Sequence, residues 1–484
     1  MKALTILIVL AGAAAGLTGQ QTARPLIIRN VRIAPDRPPR DILIRQGLIA
    51  ATGPSGSLAR PYDAEVFQGK GLLLGPAFLD AYVPASPPPP PADPALRTAP
   101  RSSAPTKPAL RSLDDDIDTR RAALDRLHPA RRQVDTRVWN PKGDAERLNA
   151  GIAWAFYLPT VELCGGSGVL ASTRAAPRSL RVLDSDLGLL FALTRRRGRY
   201  PSTTMGAIAV HRQLFADAQR QEAWRKARSQ TSSGVPRPPF EPGLARINEV
   251  LGGRRPAFYV CRTEHEALRI LALLAGTKAR LVLVGPPRVA RAAAAMAKAR
   301  AGVILQAEFP EVTDPGLRKR LHLAQPKKKL KEKGAPTTDT ADPEMRALQD
   351  WIRSERRKVR AREKEAVQTF LNAPLRLSQA GVPFAFSTTE KGKGDDLLAY
   401  ARLAVEAGLS KPSARRALTG ADPALPFFRV LEQGARVGHA ATFTLLDGPL
   451  WDWKTRIKAI VVDGRLQVLT SKPSPRGKKK GGSR

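Results

Sequence analysis

Between Gly71 and Pro84 the chain reads GLLLGPAFLDAYVP, and this stretch narrows the folds open to it more than any other. Leu72, Leu73 and Leu74 form an apolar run that meets a Gly75-Pro76 break. A second short strand, Ala77-Phe78-Leu79, follows and ends at Asp80. That pattern is expected where the last strand of a small domain feeds the first strand of a larger one. Upstream, LIIRNVRIAP and DILIRQGLIAATGP repeat a strand, turn, strand layout, with Asn30 and Gly47 at turn positions where a positive φ costs little.

The far end of the chain supplies matching pieces. ATFTLLDG (441–448) and IKAIVVDGR (457–465) read as two strands bounded by Asp-Gly turns. From Pro256 the sequence alternates strand and helix, through FYVCRTEHEALRILALLAG, ARLVLVGPPRVARAAAAMAKAR and AGVILQAEF. Units of that size imply parallel strands with helices outside. Helical spacing is expected over Leu113–Leu148, with Asp114, Asp115 and Asp116 capping, and over Gly206–Gln219, where Ile208, Leu214 and Phe215 share an apolar face and His211 reads as a packed or surface residue. Helices are also expected over Met345–Leu371, Asp395–Ala407 and Lys411–Thr419. The expected architecture is α/β: a TIM-type (β/α)8 barrel over 76–425, interrupting a small β-sandwich domain formed by both ends of the chain, 22–75 and 426–471. A proline-rich loop (84–108), a lysine-rich insertion (325–344) and a basic tail (472–484) decorate it.

The first 21 residues, with Lys2 and an apolar run from Leu4 to Leu17, have the layout of a signal peptide. This predicts an exported protein, periplasmic or extracellular, with no transmembrane span after cleavage; retention as an anchor is the alternative. Cys164 and Cys261 are too few for a disulfide framework and read as two buried thiols, or as one bridge. A net charge of +37 would attract polyanions, but the cations are spread along the chain and 5% of residues are aromatic. Solvated basic faces with non-specific polyanion binding are expected rather than a dedicated nucleic-acid site.

The opening and closing phrases together, with GIAWAFYLPTVELCGGSGVL, RYPSTTMGAIAVHRQLFADAQ and RRALTGADPALPF, resemble the amidohydrolase superfamily, metal-dependent hydrolases related to imidazolonepropionase. The resemblance implies hydrolysis of non-peptide C–N bonds, as in cyclic amides, with zinc or another divalent metal. In the family the first barrel strand ends in a phrase like FIDAHTH, whose histidines bind metal; here Tyr82 and Pro84 stand in their places. The same alignment puts Arg262, Gly285 and Thr389 at the remaining ligand positions. None of the five histidines (His128, His211, His265, His322, His439) falls on one. No metal and no other cofactor is therefore expected, and the chain reads as a catalytically degenerate member acting as a ligand-binding or subunit protein. The alternatives are an active hydrolase with an atypical site and a basic, exported polyanion-binding protein. Gly165, Gly166, Ser167 and Gly168, read as a loop after a strand, join Tyr82, Arg262 and His265 as candidates for holding a small anionic ligand. An active paralogue or a second copy of the chain are candidate partners. No GxSxG, HExxH, CxxC or P-loop pattern replaces the lost set, and Cys164 as a nucleophile lacks a histidine that the sequence can place beside it.

Overall fold

The computed structural model describes residues 24–84, 126–136, 140–196, 200–231, 234, 236–237, 241–323, 343–389, 392–423, 425 and 436–469. The expected signal peptide, proline-rich loop, Asp114 to Asp116, lysine-rich run 325–342 and basic tail lie outside them. The chain divides into two units, one of Met1–Pro76, Glu432–Leu450 and Thr455–Leu469, the other of Ala77–Leu431, Trp451–Lys454 and Thr470–Arg484.

The first unit contains two four-stranded sheets. One has the order β3-β2-β1-β4, from β1 (Leu26–Val31), β2 (Arg40–Arg45), β3 (Leu48–Pro54) and β4 (Glu65–Gln68). The other has the order β16-β15-β14-β5, from β5 (Leu73–Pro76), β14 (Phe443–Leu446), β15 (Ile457–Val462) and β16 (Arg465–Val468). Side chains alternate along a strand, so Leu26 and Ile28 point one way and Ile27 the other. The first face meets Ile42, Ile44, Phe443, Leu445 and Val461 in one core, and Ile27 meets Leu43 and Ala64 in a second. Asn30 takes a positive φ (58°) as expected, though at a bulge inside β1 rather than at a turn tip. Its N–H donates to buried Asp41 (3.0 Å), which also accepts from Gly56 N–H (2.9 Å) and Arg29 (2.6 Å).

The second unit is built on an eight-stranded sheet, nearly closed as a barrel, ordered β13-β12-β11-β10-β9-β8-β7-β6. Its strands are β6 (Phe78–Pro84), β7 (Ile152–Leu158), β8 (Cys164–Ser172), β9 (Val182–Ala192), β10 (Pro256–Val260), β11 (Arg280–Gly285), β12 (Gly302–Gln306) and β13 (Phe384–Ser387). Runs such as IAWAFYL in β7 are buried at every residue, as strands covered on both faces must be. The first strand continues past Asp80 to Pro84, because Val83 and Pro84 pair with Tyr157 and Leu158. β8 departs from the simple alternating plan: it runs antiparallel to both neighbours, so β7, β8 and β9 form a meander.

Seven helices of nine residues or more occur among the described residues: α1 (Pro141–Asn149), α2 (Thr204–Gln230), α3 (Pro242–Leu251), α4 (Glu264–Leu273), α5 (Pro343–Gln379), α6 (Asp395–Glu406) and α7 (Lys411–Thr419). The Leu113–Leu148 expectation fails over 126–132, which forms turns and single bridges, Leu127 to Cys164 and Arg132 to Ser167. Helix begins afresh at α1, where Pro141 occupies the first turn and Asn140 Oδ1 accepts from Gly143 N–H at 3.0 Å. α5 outruns its expected end by eight residues and contains Pro374. Proline has no N–H to give the carbonyl four residues back. The Tyr400 hydroxyl, from α6, donates to that Phe370 carbonyl instead, at 3.1 Å.

Candidate active site

In barrels of parallel strands, chemistry sits at the C-terminal ends of the strands. Here that rim gathers the ends of β6, β7 and β9 to β13, plus the start of reversed β8. Below it the lumen is filled. Phe156 of β7 and Phe258 of β10 are two strands removed from being neighbours, yet their rings lie 4.8 Å apart, so they meet across the interior. Glycines make room for them: a Cβ on Gly168 would lie 2.4 Å from the Phe156 ring, and one on Gly188 2.5 Å from the Phe258 ring.

At the rim, Asp80 is fully buried and accepts three hydrogen bonds, from Thr388 N–H (2.9 Å), Thr388 Oγ1 (2.6 Å) and Arg147 Nε (3.2 Å). These bonds tie β6 to the residue after β13 and close the ring of strands. Buried Asp144 of α1 is likewise engaged, by Tyr157 Oη and Arg181 Nη2, each at 2.6 Å. Both carboxylates thus face guanidinium groups, an arrangement that holds elements together.

The residues singled out from the sequence lie on separate elements. Tyr82 is buried on β6 and Pro84 ends that strand half-buried. Arg262 is exposed just beyond β10, its N–H donating to Glu266 Oε2 at 2.7 Å, and His265 is exposed in the first turn of α4. Gly285 ends β11 with no room for a side chain: a Cβ would lie 2.4 Å from the Cys261 carbonyl oxygen. Thr389 is half-buried, while its neighbour Thr388 makes the bonds to Asp80. Among the described residues no three His, Cys, Asp or Glu side chains stand together as a metal would need. The residues that the sequence resemblance assigned to ligand positions, a phenol, a hydroxyl, a guanidinium and two residues without a donor, are chemically a poor fit to a divalent cation.

Gly165 to Gly168 are corrected by the structure. They lie within β8, buried, with Gly166, Ser167 and Gly168 paired to β9 and Ser167 bridged to Arg132, and not in a loop. Added Cβ atoms would strike the Thr160 carbonyl from Gly165 (2.5 Å) and the Arg131 carbonyl from Gly166 (2.3 Å, φ +104°). The Ser167 N–H donates to the Arg131 carbonyl at 2.9 Å. Gly165, Gly166 and Gly168 serve close packing against Thr160, Arg131 and Phe156.

The structure also brings a histidine to the carbonyl of Leu163, the residue before Cys164, a contact that the sequence could not place. His211 of α2 is fully buried, and its Nε2 lies 2.8 Å from the carbonyl oxygen of Leu163. A carbonyl only accepts, so Nε2 carries the proton and Nδ1 is a bare acceptor, with no partner among the described residues. The ring stacks on Phe215 and meets Phe191 and Tyr259 edge-on. Burial above all lowers the His211 pKa to about 4, partly offset by the Leu163 carbonyl and reinforced by Arg126. Burial likewise pushes the Cys164 thiol up to about 12, against the opposing pull of the Gly166 backbone and Arg246. Burial thus favours the protonated thiol and the neutral imidazole. Cys261 is a second free, buried thiol, also raised by burial.

The barrel, its filled lumen and the separate small sheets define the class of protein: one with the amidohydrolase fold. An amidohydrolase from Thermotoga maritima MSB8 superposes with a TM-score of 0.60 at 16% identity, over 91% of this chain and 99% of that one. N-isopropylammelide isopropylaminohydrolase from Burkholderia multivorans ATCC 17616 (16% identity, 92% of this chain and 98% of that one, TM-score 0.41) and a prolidase solved with N-methylphosphonate-L-proline (16%, 92% and 100%, 0.45) are further structural neighbours. No protein-family model and no curated protein matches the chain.

Proposed function

We propose that the chain is an amidohydrolase-related protein that has lost metal-dependent hydrolysis of C–N bonds and acts as an exported ligand-binding protein or as the subunit of an assembly. One observation carries this reading: the positions that should converge on a metal are occupied by Tyr82, Pro84, Arg262, Gly285 and Thr389, and the buried carboxylate beside them, Asp80, is fully engaged by Thr388 and Arg147. Metal-activated hydrolysis needs about three protein ligands and a base free to take a proton from water. A guanidinium does neither. The exposed cation of Arg262 suits a small anionic ligand better than it suits catalysis. An active paralogue or a second copy are the partners such a subunit would join.

The test is elemental analysis of the full chain expressed with zinc, manganese and nickel supplied, paired with hydrolysis assays on cyclic amides with and without chelator. Metal well below one equivalent and no chelator-sensitive turnover are expected. Close to one bound metal per chain, with hydrolysis abolished by chelation, would overturn the reading in favour of an active enzyme.

A further inference from the structure

The first half of α5 packs against nothing described: from Ala347 to Arg362 no residue is buried, about 24 Å of helix in solvent. Burial resumes at Glu363 and Val367. An exposed helix of this kind is normally polar all round, and this one is not. Leu348 (49% exposed), Trp351 (62%), Ile352 (36%) and Val359 (45%) are all open to solvent. At about 100° per residue they fall within an arc of about 100°, a stripe that Glu355 and Arg362 also enter. Arg353, Arg356, Arg357, Arg360 and Lys364 share an arc of similar width, about 80° to 180° from Leu348, while Lys358 borders the stripe on its other side and Arg362 lies within it.

The acidic residues of this arm do not neutralise it. Asp350 pairs with Arg353 (3.3 Å) and Glu355 with Lys358 (2.7 Å) along the helix. Arg356, Arg357, Arg360, Arg362 and Lys364 have no ion-pair partner among the described residues. The chain leading into the helix adds Lys327, Lys328, Lys329, Lys331 and Lys333, of the same sign.

We propose that this arm, residues 347–364, binds an anionic lipid surface, lying in its plane with the stripe turned into the acyl boundary and the flanking cations on the headgroups. A tryptophan and three aliphatic residues opposite and between basic side chains are the composition that such interfacial helices require. Charge selects the occupant: a second copy would bring an equal cluster of cations, and a nucleic acid would answer the cations but leave the apolar stripe in water. The proposal is independent of whether the barrel is active.

Flotation of the full chain with vesicles tests it. Vesicles of phosphatidylcholine with about one-third phosphatidylglycerol, enough anionic lipid for several cations to act at once, should capture the chain, and phosphatidylcholine alone should not. Trp351→Ser with Ile352→Ser, and separately Arg356→Glu with Arg357→Glu and Arg360→Glu, should each lower the bound fraction about tenfold. All are exposed positions, so circular dichroism and thermal midpoint should stay unchanged. Capture unaffected by the serine pair overturns the proposal, as does tight binding to a short DNA duplex with no vesicle capture. Self-association in sedimentation that the serine pair abolishes would make the stripe an interface between copies and overturn it too.

Discussion

His211 is a buried histidine whose charge state departs from that of an exposed imidazole. It is neutral when folded, with a pKa of about 4 against the ordinary 6.5. The unfolded chain therefore takes up a proton first as pH falls. Stability owed to the neutral ring is complete above about pH 6.5, declines between pH 6.5 and 4, and changes no further below; the full span is about 3 kcal/mol. Urea midpoints measured across that window should fall with pH in the parent chain, and His211→Phe should flatten the curve. A parent curve as flat as the variant's would show that the ring is solvated. Helical spacing made α2 legible, and placed Ile208, Leu214 and Phe215 on its buried face. It could not disclose that His211 points at Leu163, because that contact spans 48 positions of the chain. Asp80 is the same case: the phrase FLDAYVP was readable, but its partners Arg147 and Thr388 lie 67 and 308 positions away.

At the level of elements, apolar runs punctuated by Gly and Pro located most strands and the alternation after Pro256. The rule failed at β8. A Gly-Gly-Ser-Gly run reads as a turn, since glycine weakens a strand. It is a strand here because Phe156, Arg131 and Thr160 press too close for any side chain, and those neighbours are visible only once the barrel exists. α5 failed in the opposite direction, continuing through Pro374 because another helix satisfies the carbonyl that the ring abandons. This gives a double-mutant test. Tyr400→Phe should destabilise by about 1–2 kcal/mol in the parent, since it leaves the buried Phe370 carbonyl without its donor. In a Pro374→Ala background the new N–H at 374 supplies a donor, and the same change should cost markedly less. Equal costs in both backgrounds, read from denaturant unfolding, would mean that the hydroxyl bond is incidental.

For the whole molecule, the pairing of strands from both chain ends was the most legible feature, because Asp-Gly-bounded strands at 441–465 needed partners that the opening strands could supply. The candidate site was less so. Motif alignment pointed to strand ends, but geometry was needed to see that Phe156 and Phe258 meet across the interior and that Gly285 has no space for a side chain. Removing residues 443–484 deletes β14 to β16, and with them Phe443, Leu445 and Val461 of the shared core. Limited proteolysis of that truncated chain should cut within β1 to β5, where the parent resists. Continued protection of those strands would show that the first sheet is stable by itself.

The pairing of β5 with β14 joins Leu73–Pro76 to Phe443–Leu446, so the two halves of that sheet leave the ribosome at widely separated times. At roughly 5–20 residues per second the interval is on the order of tens of seconds. For all of it β5 has an unfilled edge and the inward faces of Leu26 and Ile28 lack Phe443 and Leu445. A chaperone that shields those strands during synthesis would therefore govern how much of the protein folds.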